Sequence, residues 1–256
     1  MMNGSQCEGR RVLEICVESP AGAVAAIAGG CDRIELCAAL ALGGLTPSAG
    51  LVAAVLDIAR PAGVPVHAMV RPRPGGFAYD ADTLTLADRE AAALIAGGVQ
   101  GLVFGATRGP ALDEPGLAAW VARITGAGVA LTLHRAIDVV ADPVAAVDVA
   151  VAVGFDRILT SGGAQTAPAG AATIAAMVAR AGGRCAIMAG AGVTPETAPA
   201  LLVETGVREL HGSASVAAEA GAADRFGFGP LPRRTSETVV RRLRQAIDDK
   251  SNLRQL

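Results

Sequence analysis

Short runs of aliphatic and β-branched residues alternate with Ala-rich stretches of helical character eight times along the chain, at a mean spacing of about 28 residues. No other feature limits the fold as much. The runs are Val12–Glu18, Arg33–Cys37, Val64–Arg71, Gly101–Gly105, Val129–His134, Arg157–Ser161, Cys185–Ala189 and Glu209–Ser213. An eight-unit barrel of about 250 residues uses roughly 30 residues per strand–helix unit, and the chain has 256. Count, spacing and length together predict a single (β/α)8 TIM barrel. Helix starts are marked by a capping residue before a proline at Ser19-Pro20, Thr46-Pro47, Asp142-Pro143 and Thr194-Pro195. Helix ends are marked by Gly29-Gly30, Gly97-Gly98 and Gly182-Gly183. A doubly wound open sheet would also alternate strands and helices. Its dinucleotide-binding fingerprint is absent, because Gly29-Gly30 precedes a strand and does not open a helix after one.

No linker divides the chain. Residues 1–11 read as a loose leader and 12–256 as one domain, with a long loop near 216–236 and a final amphipathic helix over Glu237–Leu256. The formal charge is −2 and no basic block occurs, so nucleic-acid binding is not expected. The longest uncharged run, Leu36 to Leu56, is broken by Gly43, Gly44, Pro47 and Gly50 and does not read as a membrane span. The first residues lack the apolar segment of a secretory signal. Five scattered cysteines, an odd number, argue for reduced thiols and a cytoplasmic location. A homo-oligomer is expected, with no interface assigned.

Strand residues alternate between the helix-facing and interior sides of a barrel. Leu13, Ile15 and Val17 oppose Glu14, Cys16 and Glu18, while Ile34 and Leu36 oppose Glu35 and Cys37. Val66, Ala68 and Val70 oppose His67, Met69 and Arg71; Leu131 and Leu133 oppose Thr132 and His134; Leu210 opposes Glu209 and His211. The apolar set must meet the helices, so the polar set points inward. The fourth, sixth and seventh strands alternate less clearly. An ordinary barrel interior is branched aliphatic. Here it gathers carboxylates, thiols and all three histidines, at a cost of several kcal/mol per unpaired ion. Glu14, Glu35, His67, Arg71, His134 and His211 are therefore candidate catalytic groups. The alternative, a satisfied structural network, stays open for each.

Four further constellations lie at the strand ends. Cys16 and Cys37 take like positions on neighbouring strands. Two such thiolates suit a soft ion such as Cu(I), with Met69 or a histidine as a further donor, although cysteine also serves as a small buried hydrophobe. Gly190, Gly192, Gly212 and Ser213 sit in the turns after the seventh and eighth strands, a common phosphate cradle of this fold. Arg73 joins Arg71 before the glycines of PGGFAY, as an anion clamp or as a partner of the interior glutamates. His134-Arg135-Ala136-Ile137-Asp138 offers a proton-transfer group, or a turn cap at Asp138. The partner is thus a copper ion or a small anionic metabolite.

Taken in order, the stretches LEICVES, GGCDRIELCAALALGGLTPSAGL, VPVHAMVRPRPGGFAY, GLVFGA, LTLHRAID, GFDRILTSGG, IMAGAGV and ELHGSAS resemble the CutC family of copper homeostasis proteins. They run from Leu13 to Ser215, about 80% of the chain. The resemblance implies a β/α barrel, a cytoplasmic location and a part in copper handling, with Cys16 and Cys37 at the positions of the family's proposed Cu(I) ligands. Three positions depart from the family's pattern. Ala191 stands within a glycine triplet, Ile137 replaces Phe in HRAFD, and Cys31 replaces Ala.

Overall fold

A computed structural model describes residues 10–218 and 233–249. Eight parallel strands close into a barrel: β1 (Val12–Val17), β2 (Arg33–Leu36), β3 (Val66–Met69), β4 (Gly101–Phe104), β5 (Ala130–Leu133), β6 (Arg157–Thr160), β7 (Ala186–Gly190) and β8 (Glu209–Gly212). Each follows its neighbour in sequence round the ring, and β8 pairs with β1. The helices are α1 (Pro20–Ala28), α2 (Ala49–Ala59), α3 (Ala81–Gly97), α4 (Glu114–Ile124), α5 (Pro143–Val153), α6 (Ala171–Ala181), α7 (Ala198–Thr205) and α8 (Glu237–Asp248). All eight predicted strands are present. Most are shorter than predicted at the C-terminal end, because the chain leaves the ladder to build loops. His134, for instance, has left β5 and caps the 3-10 turn Arg135–Val139 through its ring nitrogen.

Ser19 and Asp142 cap α1 and α5 as expected. Two other predicted caps do not begin helices. Ser48, not Thr46, caps α2, and the Thr46 hydroxyl instead donates to Glu90 and accepts from the Arg71 amide. Thr194 closes a turn ahead of α7, accepting from the Glu196 and Thr197 amides. The predicted loop near 216–236 has structured ends: Ser215–Ala217 pairs antiparallel with Arg233–Thr235. The predicted leader, Cys7 and the distal part of the last helix fall largely or wholly outside the described residues.

The apolar strand faces meet the helices as alternation requires. Leu13, Ile15, Ile34, Leu36, Leu102, Leu133 and Leu210 are fully buried there. Phe104 stacks on Trp120 with ring centroids 4.4 Å apart. In α8, Val240, Leu243 and Ile247 are buried, and the helix packs on α1, α7 and β1. Register sets up the interior: Glu14 lies opposite both His211 and Arg33, and Cys16 lies opposite Glu35. On the inward side of β4, Val103 stands between Gly101 and, just past the strand's end, Gly105. A Cβ on Gly101 would sit 2.5 Å from the His67 ring, and one on Gly105 would sit 2.6 Å from His134 Nδ1. These glycines hide the alternation of β4 in the sequence and admit two imidazoles to the interior.

Gly101→Ala is expected to cost about 1–3 kcal/mol by overpacking against His67. Gly50→Ala, in α2 with open space around its added methyl, is expected to gain about 0.5 kcal/mol. Urea unfolding of both variants checks the pair; equal effects would contradict the packing account.

Candidate functional site

Alternating charges cross the barrel from its base to its mouth. Arg33 donates through Nε to Glu14 and through a terminal nitrogen to Glu209 at 2.6 Å. Arg157 Nε donates to the same Glu209 oxygen at 2.5 Å. Glu14 in turn holds His211 through Nδ1 at 2.7 Å, and His211 Nε2 faces Glu35 at 3.9 Å. Three carboxylates thus meet two guanidiniums and one imidazole. Burial alone would raise the Glu14 pKa, but Arg33 and His211 outweigh it and hold Glu14 well below the usual carboxylate range. Burial alone would lower that of His211, but Glu35, Cys16 and Glu14 outweigh it and hold the imidazole charged well above its ordinary range. Burial raises the Glu35 pKa, against the pull of His211. His67, deeper in the ring, is pushed down to about 4 by burial.

Above this network, at the C-terminal ends of the strands, lies a cavity of about 580 Å³. Cys16, Glu35 and His211 line its floor, Arg71, His134 and Arg135 its wall, and Ala191, Gly192, Gly212 and Ser213 its glycine-rich side. His134 Nδ1 accepts from the Ala136 amide at 3.1 Å, so the ring proton sits on Nε2. Burial, reinforced by Arg71, pushes its pKa down to about 3, and the ring is neutral. Both His134 Nε2 and Arg71 Nε are buried without a hydrogen-bond partner among the described residues.

The structure therefore brings together Cys16, Glu35, Arg71, His134, His211, Gly192, Gly212 and Ser213. Other predicted residues lie elsewhere. Glu14 sits behind His211 and is fully buried. His67, Gly190 and Arg73 are not on the cavity wall. Arg73 turns onto its own loop, donating to the Pro74, Gly76 and Ala78 carbonyls and covering the Tyr79 ring at 5.0 Å. Arg71 does not pair with an interior glutamate. It donates to the carbonyls of Leu42, Gly44 and Gly75 and so ties two loops together. Cys37 is not level with Cys16, because the register pairs Cys16 with Glu35. Its thiol donates to Glu35 Oε2 at 3.5 Å and packs with Met69 and Val103. Burial, with Glu35 beside it, pushes that thiol well up. Asp138 does more than cap a turn: it accepts from Thr160 Oγ1, the Ser161 and Gly163 amides and Arg135 Nε, holding the loops after β5 and β6 together.

The sequence reading passed over Arg33, Arg157 and Arg233. Arg33 stands two residues before Glu35 and therefore shares its inward face, a signal that was available. Arg157 opens a strand whose alternation is weak. Arg233 reaches the cavity only through the ribbon beyond β8, where it donates to Ser215.

The CutC family model matches residues 11–216. A CutC family protein of Sinorhizobium medicae is 45% identical over 244 residues, covering 93% of this chain and 97% of that one. Another, from Caulobacter vibrioides, is 49% identical over 205 residues, covering 80% and 81%. The solved CutC protein of Streptococcus agalactiae, provisionally described as a copper homeostasis protein, superposes with a TM-score of 0.75 at 30% identity, covering 79% of this chain and 98% of that one. The thiamine phosphate pyrophosphorylase of Pyrococcus furiosus, at 12% identity and a TM-score of 0.59, shares the fold alone.

His67 and His134 are neutral in the fold but protonate near pH 6.5 when unfolded. Their stabilisation is present above pH 6.5 and is lost as pH falls toward their folded values. His211 and Glu35 have the opposite sign: each stabilises below its unfolded value and loses that as pH rises through its raised folded one. His134→Gln removes one acid-destabilising group. Between pH 5 and 6 its stability is expected to rise with pH less steeply than the parent's, by about 1.4 kcal/mol per pH unit. Urea unfolding across that window reads the slope; identical slopes would contradict a buried neutral His134.

Proposed function

Because the chain belongs to the CutC family, we propose that the barrel mouth is its working site and acts as an enzyme centre for a small anionic metabolite. One observation carries the reading. Two buried N–H donors, His134 Nε2 and Arg71 Nε, lack partners among the described residues and belong to residues on one cavity wall. A buried donor left unsatisfied costs about 1–3 kcal/mol, so an acceptor-rich ligand is favoured there. Arg135, paired with Asp138, lines the same wall. Beneath them, His211 as an imidazolium is the general acid and Glu35 the general base, 3.9 Å apart. A proton passing between them resets the site after isomerisation or hydrolysis. Buried histidine and arginine donors, not lysines, do the holding, which favours a compact anion over a polymer.

Copper is the second reading, and the arrangement of soft donors favours it. Cys37 and Met69 share one small cluster with Val103 and Leu40, and Cys16 opens onto the adjoining cavity. Cu(I) would take the two thiolates with the thioether as a third donor. The metal would have to displace the Cys37 proton, which burial and Glu35 retain. The four described cysteines are free thiols, in keeping with a reducing compartment such as the cytoplasm. Among the described residues no helix is long and apolar enough to cross a membrane.

Inorganic phosphate tests the first reading. It is expected to raise the Tm of the metal-free parent, to leave that of His134→Ala unchanged, and to appear in crystals within bonding distance of His134 Nε2. Equal shifts in both proteins with an empty cavity would overturn it. For copper, competition with bicinchoninate is expected to show a loss of at least tenfold in affinity when Cys16 and Cys37 are both changed to Ser. Unchanged affinity discards that reading.

A further inference from the structure

We infer that the cavity floor is a divalent-cation site of the zinc class, formed by Cys16 Sγ, the Glu35 carboxylate and His211 Nε2, with its fourth position open to the cavity. The three donor atoms lie within 4.8 Å of one another. Bonds of about 2.0–2.3 Å in a tetrahedral shell need donors somewhat closer, and a small inward movement of the side chains supplies that. The strand order explains the convergence. Cys16 is on β1, Glu35 lies opposite it on β2, and His211 is on β8, the other neighbour of β1.

The surroundings fit a cation as well as the donors do. Glu14 Oε1 holds His211 Nδ1 at 2.7 Å, leaving Nε2 as the outward nitrogen. A carboxylate behind a metal-binding histidine is the usual means of fixing the ring and raising its basicity. Glu35 Oε1 is buried and has no hydrogen-bond partner among the described residues. Its other oxygen accepts from the Cys37 thiol, so Cys37 orients Glu35 and does not itself face the site. One sulfur, one nitrogen and one oxygen make a borderline set. Magnesium wants oxygens, and Cu(I) wants a second soft donor. Three protein ligands with one open position is the arrangement of catalytic zinc, whose bound water is acidified.

This inference rests on the mouth being the working site but not on the anion; the acid–base role proposed above for His211 and Glu35 belongs to the metal-free site, and only Cys16 is shared with the copper reading. The experiment is titration of the full chain, stripped of metal and kept reduced, with Co2+ and then Zn2+. One equivalent of Co2+ is expected to give a thiolate-to-metal charge-transfer absorption and the intense visible bands of a tetrahedral ion, both bleached by Zn2+. Cys16→Ser is expected to abolish the charge-transfer absorption, and Glu35→Gln to abolish tight binding. Glu14→Gln is expected to weaken binding about 10–100-fold, while Cys37→Ser leaves the spectrum in place. Absence of binding by the parent, a charge-transfer absorption that survives Cys16→Ser, or its loss in Cys37→Ser would each overturn the site. Circular dichroism certifies the fold of each variant. If Glu14→Gln fails to fold, Cys16→Ser and Cys37→Ser decide. The phosphate shift is read without metal, so either reading can fail alone.

Discussion

Arg33 sits between two buried carboxylates, and the chemistry of the barrel mouth depends on that placement. Its guanidinium pairs with both and offsets their burial. Arg157 shares the load on Glu209. With Glu14 held as an anion, His211 has a fixed partner for Nδ1 and a fixed outward edge. Glu35 and Cys16 then face a defined imidazole. Order passes upward from base to mouth through charge-assisted hydrogen bonds, which are shorter and stronger than neutral ones.

Such an interior is a poor way to gain stability. A buried ion pair roughly offsets its own desolvation, and a hydrophobic filling of the same volume would often hold as well. Stability here is supplied by the outer layer, where the aliphatic strand faces meet the helices. The inner network contributes orientation. Arg71 and Asp138 do similar work one level higher: Arg71 holds backbone from two loops, and Asp138, from the loop after β5, holds the backbone of the loop after β6. The resulting cavity has a rim tied by hydrogen bonds, a charged floor and a neutral histidine in its wall. Ala191 adopts φ +74° in the rim, a strained value for a residue with a side chain and a sign that the turn geometry is demanded by its neighbours.

Much of this was legible in the sequence. Eight spaced runs named the barrel, and alternation within β1, β2, β3, β5 and β8 placed the polar residues inside. Where alternation failed, the reason was physical. On the inward side of β4, Gly101 and, just past the strand's end, Gly105 flank Val103 and seat the rings of His67 and His134. Level placement of Cys16 and Cys37 was inferred from their similar offsets along two strands, but parallel register in a closed barrel shifts neighbours, and Glu35 stands opposite Cys16. The carbonyl contacts of the loop arginines were not legible, because a guanidinium at a strand end can serve carbonyls as readily as anions. Arg71 and Arg73 both do so. The ribbon that brings Arg233 to the cavity carries no hairpin signal in sequence, since its two strands are separated by the long segment after Ala217.

The central claim is that Glu14, fixed from below by Arg33, holds His211 as an imidazolium at the cavity floor. Nitrogen-15 NMR of the metal-free protein, labelled at its three histidines, tests it most directly. At pH 8 one ring is expected to carry protons on both nitrogens and to vanish as an imidazolium signal in His211→Gln, while the other two remain neutral. Three neutral rings at pH 8, with His211 titrating near 6.5, would contradict the account.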